Sequence, residues 1–204
     1  MSTGIGKEPT GKDWPSERSA IRLEYERARA TFHGLVTTAF KPDLGRPSRG
    51  TRWTNRQLLF HMLFGYVVVR ALLPLVKFVS SLPAGIGRRY GALLDAAARP
   101  FNAINYWGSV VGAFVYRGDR MAAKFDTVIA ALECRLSRED SDALTQSMAF
   151  PTRWDPFFRD VMTVADIYRY PTQHFEFHRQ QLTLDGDDDR RQVAAGALRE
   201  EIQP

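Results

Sequence analysis

The sequence predicts an all-α protein, a four-helix bundle with long crossover connections. Apolar residues recur at helical spacing in four long stretches, and no alternating run bounded by hairpin turns indicates a sheet. The two long connections cover residues 81–102, whose Gly and Pro content forbids one continuous helix, and residues 135–158. Four long helices and two long connections in one chain are typical of such a bundle.

The first two helices are predicted from their caps and apolar stripes. The first runs from Ser16, which can cap it, to about Phe40, before the Pro- and Gly-containing loop 41–50. Thr54 is the natural N-cap of the second helix, and Gln57 three residues later completes a capping box. This helix continues to about Ser80 through Pro74, which can kink it. The predicted stripe of the first helix comprises Ile21, Tyr25, Ala28, Phe32, Leu35, Val36 and Ala39.

The ends of the predicted third and fourth helices are less definite. The third begins at Ala103 or Trp107 and ends at Ser137, with Gly118 and Asp119 as a weak point. Its predicted stripe comprises Val110, Val111, Phe114, Val115, Met121, Phe125, Val128 and Leu132. The last helix begins after the N-cap Thr163, with Asp166 three residues later, and runs to about Leu184. Its stripe includes Val164, Ile167 or Tyr168, Pro171, His174 or Phe175, His178 and Leu182.

Length and composition predict one domain with loose ends. The chain has 204 residues, of which 44% are hydrophobic, enough for a sizeable core. Residues 1–15 lack the apolar segment of a signal peptide and are predicted to form a flexible tail. The bundle domain then covers residues 16–184, and residues 185–204 form a C-terminal tail.

Charge and cysteine content restrict the classes of function. The formal net charge is +5, but basic and acidic residues are interleaved, as in residues 18–30, so nucleic-acid binding has little support. A single cysteine, Cys134, excludes an intramolecular disulfide and fits a reducing cytoplasm. Its charged surroundings favour a structural or surface thiol over a nucleophile.

The apolar run 58–76 is about as long as a membrane span. Only His61 and Arg70 interrupt it, and Arg70 near its middle costs about 2.5–3.5 kcal/mol on insertion scales. A long buried helix is therefore preferred to an integral membrane segment. A membrane-associated protein that uses residues 58–82 is the weaker alternative.

Three histidines are predicted to face the same interior. His174 and His178 are four residues apart on one helix face, and His61 lies on the inward stripe Leu58, His61, Gly65, Val68 and Leu72. Gly65, one turn from His61, leaves room beside it. Three neutral imidazoles with a fourth position for water or substrate are typical of catalytic zinc. The same spacing also fits buried histidines that only satisfy each other and the core, so both interpretations stay open.

Other candidates fit a role at the metal less well. Glu176 is two residues from each of the paired histidines, about 200° around the helix, so it cannot act as the base of an HExxH protease. His33 lies off the first-helix stripe and is expected to pack or to face solvent. Trp53, Trp107 and Trp154 are expected to pack in the core or at the bundle ends.

Two segments resemble the DinB/YfiT-like superfamily. WTNRQLLFHMLFGY (residues 53–66) resembles its second-helix signature, and HFEFHRQQL (residues 174–182) resembles its last-helix pattern. The resemblance implies a bundle that is often dimeric, with His61, His174 and His178 as a zinc or nickel triad. Members include thiol-dependent S-transferases and isomerases, such as mycothiol-dependent maleylpyruvate isomerase and bacillithiol transferase. The crossover 81–102 and the segment 157–171 depart from the family, which leaves the substrate open.

The preferred hypothesis is therefore a cytoplasmic metal-dependent enzyme that activates a thiol or water for attack on an electrophilic small molecule. Tyr170 and Gln181, one turn before and after the histidine pair, are candidates to orient a ligand of the metal. Arg179 is expected to face solvent, with the pocket rim as the alternative. The alternative is a non-catalytic metal-binding or protein-interaction bundle. No nucleic acid and no integral membrane are expected as partners, and the apolar helix faces allow a homodimer.

Overall fold

The structure is a computed structural model that describes residues 14–80, 94 and 96–184. Most of the predicted tails, and residues 81–93 and 95 of the predicted crossover, lie outside the described residues. The described part is mostly helical, as predicted, with very little sheet. Its elements in chain order are α1 (Trp14–Thr38), a 3₁₀ turn (Asp43–Gly45), α2 (Asn55–Ser80), α3 (Ala98–Val115), α4 (Asp119–Leu136), α5 (Ser141–Thr145), β1 (Ser147–Ala149), β2 (Val161–Thr163) and α6 (Val164–Arg179).

Helix α1 packs on α4 and α6 through the predicted stripe. Ile21, Tyr25, Ala28 and Phe32 are buried, and the Tyr25 hydroxyl donates to the Tyr168 carbonyl oxygen at 2.6 Å. The helix begins at Trp14, so Ser16 lies in its first turn and is not the N-cap. The predicted cap is wrong because helical conformation extends upstream through Pro15, which suits a first helical turn.

Helix α2 packs against α6, α3 and α4. Its predicted capping box is confirmed: the Gln57 side chain accepts from the Thr54 amide at 3.0 Å, and Thr54 Oγ1 accepts from the Gln57 amide at 3.4 Å. The helix reaches Ser80 with Pro74 inside it. Beyond Gly65 the predicted stripe is wrong, because the buried face advances through Val69, Leu73 and Val76 and leaves Leu72 36% exposed.

Helix α2 is also long and apolar enough, by length and composition, to cross a membrane. In this structure 56% of its most apolar window is buried inside the molecule. A core helix of a soluble protein passes the same test, so the helix is weak evidence for a membrane segment.

The predicted third helix is two helices, α3 and α4. Gly118 has φ 51° and ψ −130°, a conformation that residues with a Cβ rarely adopt, so the chain turns there and α4 starts anew at Asp119. Helix α3 begins at Ala98, upstream of the predicted start. Pro100 does not prevent this, because a first-turn amide needs no intrahelical acceptor.

Helix α3 uses its glycines to approach α2. A Cβ on Gly112 would lie 2.0 Å from the Phe60 ring, and one on Gly108 would lie 2.8 Å from the Phe64 ring. The opposite face of α3 is apolar and exposed. The predicted burial of this face is therefore wrong for Trp107, Val111, Phe114 and Val115, which with Ile104 are 44–71% exposed.

The connection between α4 and α6 contains a small ribbon that the sequence does not predict. Strands β1 and β2 pair antiparallel, with Ser147 opposite Thr163 and Ala149 opposite Val161. Three-residue strands are too short to give a recognisable alternation, so this ribbon is a small addition to a chain that is mostly helical, as predicted. Helix α6 follows β2 directly.

The predicted start of α6 is confirmed. Thr163 Oγ1 accepts from the Asp166 amide at 3.1 Å, and the Asp166 carboxylate accepts from the Thr163 amide at 2.9 Å. The helix ends at Arg179, five residues before the predicted Leu184.

The chain beyond α6 is held against the start of α2 by one buried carboxamide. Asn55 is 0% exposed, and its Nδ2 donates to the carbonyl oxygens of Asp43 at 2.8 Å and Thr183 at 3.1 Å. Its Oδ1 accepts from the Thr183 amide at 3.0 Å. The Arg49 amide donates to the Gln181 carbonyl oxygen at 2.8 Å nearby. These bonds fix the ends of α2 and α6 relative to each other.

Candidate metal centre

Helices α2 and α6 bring the three predicted histidines together. One nitrogen from each of His61, His174 and His178 lies within 4.8 Å of the others. His61 is 2% exposed, His174 is 3% exposed and His178 is half-buried. The three side chains are therefore close enough to hold one metal ion.

Hydrogen bonds fix the protonation of two of these rings. The Ser109 hydroxyl donates to the Asn105 carbonyl oxygen at 2.7 Å, so its oxygen accepts from His61 Nδ1 at 3.1 Å. Gln181 Oε1 accepts from His178 Nδ1 at 2.6 Å. In neutral imidazole the second nitrogen is then an unprotonated acceptor. His61 Nε2 and His178 Nε2 therefore present lone pairs to each other across 3.2 Å.

Burial keeps the three imidazoles neutral. It lowers the pKa of His61, with a further contribution from His178, and it lowers the pKa of His174, with contributions from His61 and His178. Burial also lowers the pKa of His178, although its bond to Gln181 acts in the opposite direction. Neutral imidazole is the form that binds metal.

The geometry of the facing pair fits a metal ion. Two nitrogens with lone pairs directed at each other repel unless a cation or proton lies between them. In a tetrahedral zinc site with Zn–N distances of about 2.0–2.1 Å, ligand nitrogens are about 3.3–3.4 Å apart. The observed distance of 3.2 Å between His61 Nε2 and His178 Nε2 is close to that separation of ligand nitrogens. The donor set, three neutral imidazoles with two rings anchored by hydrogen bonds, fits a divalent transition metal.

His174 is the least satisfied of the three rings. Its Nδ1 is buried and has no hydrogen-bond partner among the residues that the structure describes. A Cβ on Gly65 would lie 3.1 Å from this atom, so the glycine provides the space that His174 occupies. On the other side, His174 Nε2 lies 3.7 Å from Asp155 Oδ2, which accepts from the Tyr170 hydroxyl at 2.8 Å.

Burial raises the pKa of Asp155, against the lowering effect of hydrogen bonds from the Phe157 amide and the Tyr170 hydroxyl. Burial and the adjacent carboxylate raise the pKa of Tyr170. Tyr170 therefore stays protonated and donates to Asp155, next to the His174 ring.

The orienting candidates lie in different places. Gln181 accepts a hydrogen bond from His178, whereas the Tyr170 hydroxyl donates to Asp155 and the Tyr170 ring lies beside the His174 ring, with centroids 5.7 Å apart. Arg179 forms an ion pair with Glu176 at 2.8 Å, and both side chains are partly exposed, so Arg179 is on the solvent side. Glu176 is thus engaged away from the triad, in agreement with its exclusion as a base.

Sequence reasoning missed Ser109, Asp155 and the position of Trp53. The Trp53 ring stacks on His61 with centroids 4.0 Å apart and an interplanar angle of 28°, so it forms a wall of the site. Ser109 and Asp155 lie in α3 and in the β1–β2 connection, and no local pattern links either of them to a histidine. The sequence offered a signal for Trp53 alone, since this residue directly precedes the predicted N-cap Thr54.

A cavity of about 480 Å³ reaches His178 from the surface. Asn102, Asn105 and Tyr106 of α3 form one side, and Phe177 and Gln181 contribute to the other. The Arg52 guanidinium lies 5.0 Å from the centre of the Tyr106 ring. The cavity is within the range of small-molecule sites and joins the candidate metal centre to solvent.

The remaining sequence candidates lie elsewhere. His33 pairs with Asp126 at 2.8 Å on the partly exposed side of α1, and not with the triad. Trp154 packs as expected, stacked on Phe101 with centroids 3.9 Å apart. Cys134 is an exposed free thiol, in agreement with the predicted surface thiol.

Comparisons with protein-family models, with curated proteins and with solved structures find no match for this chain. The fold and the site define a mostly helical protein with a buried three-histidine candidate metal centre. What that centre binds is therefore inferred from its own donor atoms.

Proposed function

We propose that the chain is a metal-dependent enzyme, with a zinc or nickel ion bound by His61, His174 and His178. The proposed reaction is attack by a thiol or a water on an electrophilic small molecule, as in thiol-dependent S-transferases and isomerases. The architecture that we propose is a four-helix bundle of the DinB/YfiT-like kind. The observation that carries the proposal is the pair of His61 and His178 Nε2 lone pairs 3.2 Å apart in a buried site.

A bound divalent ion lowers the pKa of a thiol or water that binds to it, which supplies a nucleophile at neutral pH. The chain's residues prepare the site for that ion. Ser109 and Gln181 each accept from an Nδ1–H group and so direct Nε2 of His61 and His178 inward. Trp53 covers one face of His61 and limits access by water. Three protein ligands leave a position for the nucleophile.

The cavity at His178 supplies the binding site for the small-molecule partner. Asn102 and Asn105 offer amide donors and acceptors, Arg52 offers a positive charge, and Tyr106 and Phe177 offer ring faces. A thiol that carries polar groups and an electrophilic co-substrate both match this mixture of surfaces. The entrance directs such molecules to His178, the most exposed of the three candidate ligands.

The test is the metal content of the purified protein, measured by inductively coupled plasma mass spectrometry. We expect about one equivalent of zinc or nickel in the wild type and a loss of most of it in His61→Ala and His178→Ala. His33→Ala is the matched control, because His33 pairs with Asp126 away from the site. Unchanged metal content in the two triad variants would defeat the proposed ligand set.

The rival is a non-catalytic bundle that binds metal or another protein. The exposed apolar face of α3, which includes Trp107 at 61% and Phe114 at 71% exposure, favours this alternative. A thermal-shift measurement with mycothiol-like thiols separates the two. Stabilisation that requires metal supports the enzyme, whereas full stability without metal and no response to thiols supports the rival.

We further propose a cytoplasmic location, because the single cysteine requires no oxidising compartment. The homodimer stays a prediction that light scattering on the purified protein tests. Fractionation after lysis tests the membrane-associated alternative: recovery in the soluble fraction excludes it, and recovery with membranes supports it.

A further inference from the structure

A second cavity, of about 730 Å³, lies between α2 and the end of α4 and is lined by cations. Arg70 and Lys77 come from α2, Arg135 comes from the last turn of α4, and Arg138 follows that helix. None of the three histidines of the candidate metal centre lines it. We call this cavity, with Arg70, Arg135 and Arg138 as its unneutralised cations, the arginine groove.

The acid in the groove is already neutralised. The Glu139 side chain is 3% exposed, and its carboxylate pairs with Lys77 Nζ at 2.6 Å and accepts from the Tyr168 hydroxyl at 3.1 Å. Four cations and one carboxylate give the lining a net charge of +3. The whole chain has a net charge of +5, so much of its excess positive charge is concentrated here.

The three arginines line one cavity and have no acidic partners in the described part of the chain. Within residues 14–80, 94 and 96–184, none of these guanidinium groups forms an ion pair, and Arg135 Nη1 instead donates to the Arg70 carbonyl oxygen at 3.2 Å. Elsewhere on the surface, Arg29 and Arg159 pair with carboxylates at 2.7 Å. Cations held together without counter-charge repel one another, and a bound anion removes that repulsion.

The shape of the groove indicates an anion that carries an organic group. Val67, Ala71 and Ala131 give it an apolar floor, and the alanines leave the space between the two helices open. The volume exceeds what one inorganic phosphate fills. Guanidinium groups match phosphate oxygens through paired N–H donors, which makes arginine the favoured residue for phosphate recognition.

We propose that the arginine groove binds a phosphate-bearing ligand, with Arg70, Arg135 and Arg138 on the phosphate oxygens and the apolar floor beneath its organic part. A diphosphate group matches three guanidinium groups better than a single phosphate. This site is separate from the metal centre in position and in residues. Its test is therefore independent of the proposed enzyme activity.

Inorganic pyrophosphate is the probe, and isothermal titration calorimetry measures its affinity. We expect the double variant Arg70→Ala with Arg138→Ala to bind pyrophosphate at least tenfold more weakly than the wild type. The control is Arg120→Ala with Arg153→Ala, which removes the same charge from exposed positions outside the groove. That control should change the affinity less than twofold.

Cys134 gives a second readout, because it is the chain's only cysteine and lines the groove. Pyrophosphate should slow its alkylation by iodoacetamide several-fold in the wild type and in the control, but not in the groove variant. Circular dichroism verifies that both double variants fold. If the groove variant misfolds, Arg138→Gln alone provides the comparison, since Arg138 is exposed and follows α4.

Vesicles that contain anionic phospholipid distinguish a lipid headgroup from a soluble phosphate compound. Vesicle binding that is lost only in the groove variant, without pyrophosphate binding, assigns the phosphate to a lipid. The proposal is overturned if neither probe binds, or if the groove and control variants lose equal affinity, because the effect is then one of overall charge.

Discussion

His61 Nε2 and His178 Nε2 lie 3.2 Å apart, although 117 positions separate the two residues in the sequence. Each ring donates a hydrogen bond from Nδ1, His61 to Ser109 and His178 to Gln181. The 3.2 Å contact therefore joins two Nε2 atoms that are both acceptors. These Nδ1 hydrogen bonds therefore orient the two rings for a bound ion.

Replacing Ser109 should weaken metal binding without removing a ligand. Ser109→Ala deletes the acceptor for His61 Nδ1, which frees the ring to adopt the other tautomer, and we expect metal affinity to fall about 10- to 100-fold. Chelator competition measures this. Ser137→Ala is the control. Like Ser109, Ser137 donates its hydroxyl to a nearby backbone carbonyl oxygen, that of Cys134 at the end of α4. Equal affinities in the two variants would contradict the orienting role.

Adding one methyl group at Gly65 should lower the metal affinity without a matching loss of folding stability. A Cβ there lies 3.1 Å from His174 Nδ1, so Gly65→Ala displaces the ring, and we expect at least a tenfold loss of metal affinity. The helix itself gains from alanine, by up to about 1 kcal/mol. Gly34→Ala, where the new Cβ meets nothing within 4 Å, should add stability and leave the affinity unchanged. Calorimetry and urea denaturation measure the two quantities.

The metal-free protein should lose stability as the pH falls below about 6.5. The folded-state pKa of each triad histidine is lowered from 6.5, chiefly by burial. Below 6.5 the unfolded chain therefore binds protons that the folded chain does not, which favours unfolding. The free energy of unfolding in urea should be constant from pH 8 to 7 and should decline from 6.5 to 5.5.

His33→Gln should keep this pH profile, since His33 lies outside the triad. Replacing His174 with Gln should make the decline less steep, because His61 and His178 still contribute. A profile that is level from pH 8 to 5.5 in the wild type would contradict the neutral, buried state of the triad.

A methyl group at Gly112 should destabilise the contact between α2 and α3. The new Cβ would lie 2.0 Å from the Phe60 ring, and overpacking of a core contact costs about 1–3 kcal/mol. Urea denaturation measures the loss. The double variant Gly112→Ala with Phe60→Leu removes the clashing ring atoms and should recover part of it; a further loss in the double variant would show that the Phe60 contact is not the cause.

Local chemistry made some parts of this fold predictable. Thr54 and Thr163 mark their helix starts because a side-chain oxygen and a residue three positions later complete each cap within four residues. The approach of His61 to the His174–His178 pair followed from helical periodicity, which places all three on inward stripes.

Other parts depend on contacts that no short window contains. The break at Gly118 depends on the backbone conformation of that residue. A glycine inside a helical pattern is compatible with either a continuous helix or a turn, so the sequence does not decide between them. The exposure of Phe114 depends on which face of α3 meets α2, and the glycines at 108 and 112 decide that. Ser109 reaches His61 across 48 positions, so its role becomes visible only after the helices pack.

The buried Asn55 carboxamide has a consequence for how the molecule opens. It bonds to the segment before α2 and to Thr183 after α6, while His61 lies six residues beyond it on α2 and His178 lies five residues before Thr183. A transient opening that breaks these bonds releases both chain segments that hold the His61 and His178 rings in place. This end of the protein therefore opens as one cooperative unit. Amide hydrogens around Thr183 and those in the first turns of α2 should then show the same free energy of opening in exchange with solvent deuterium.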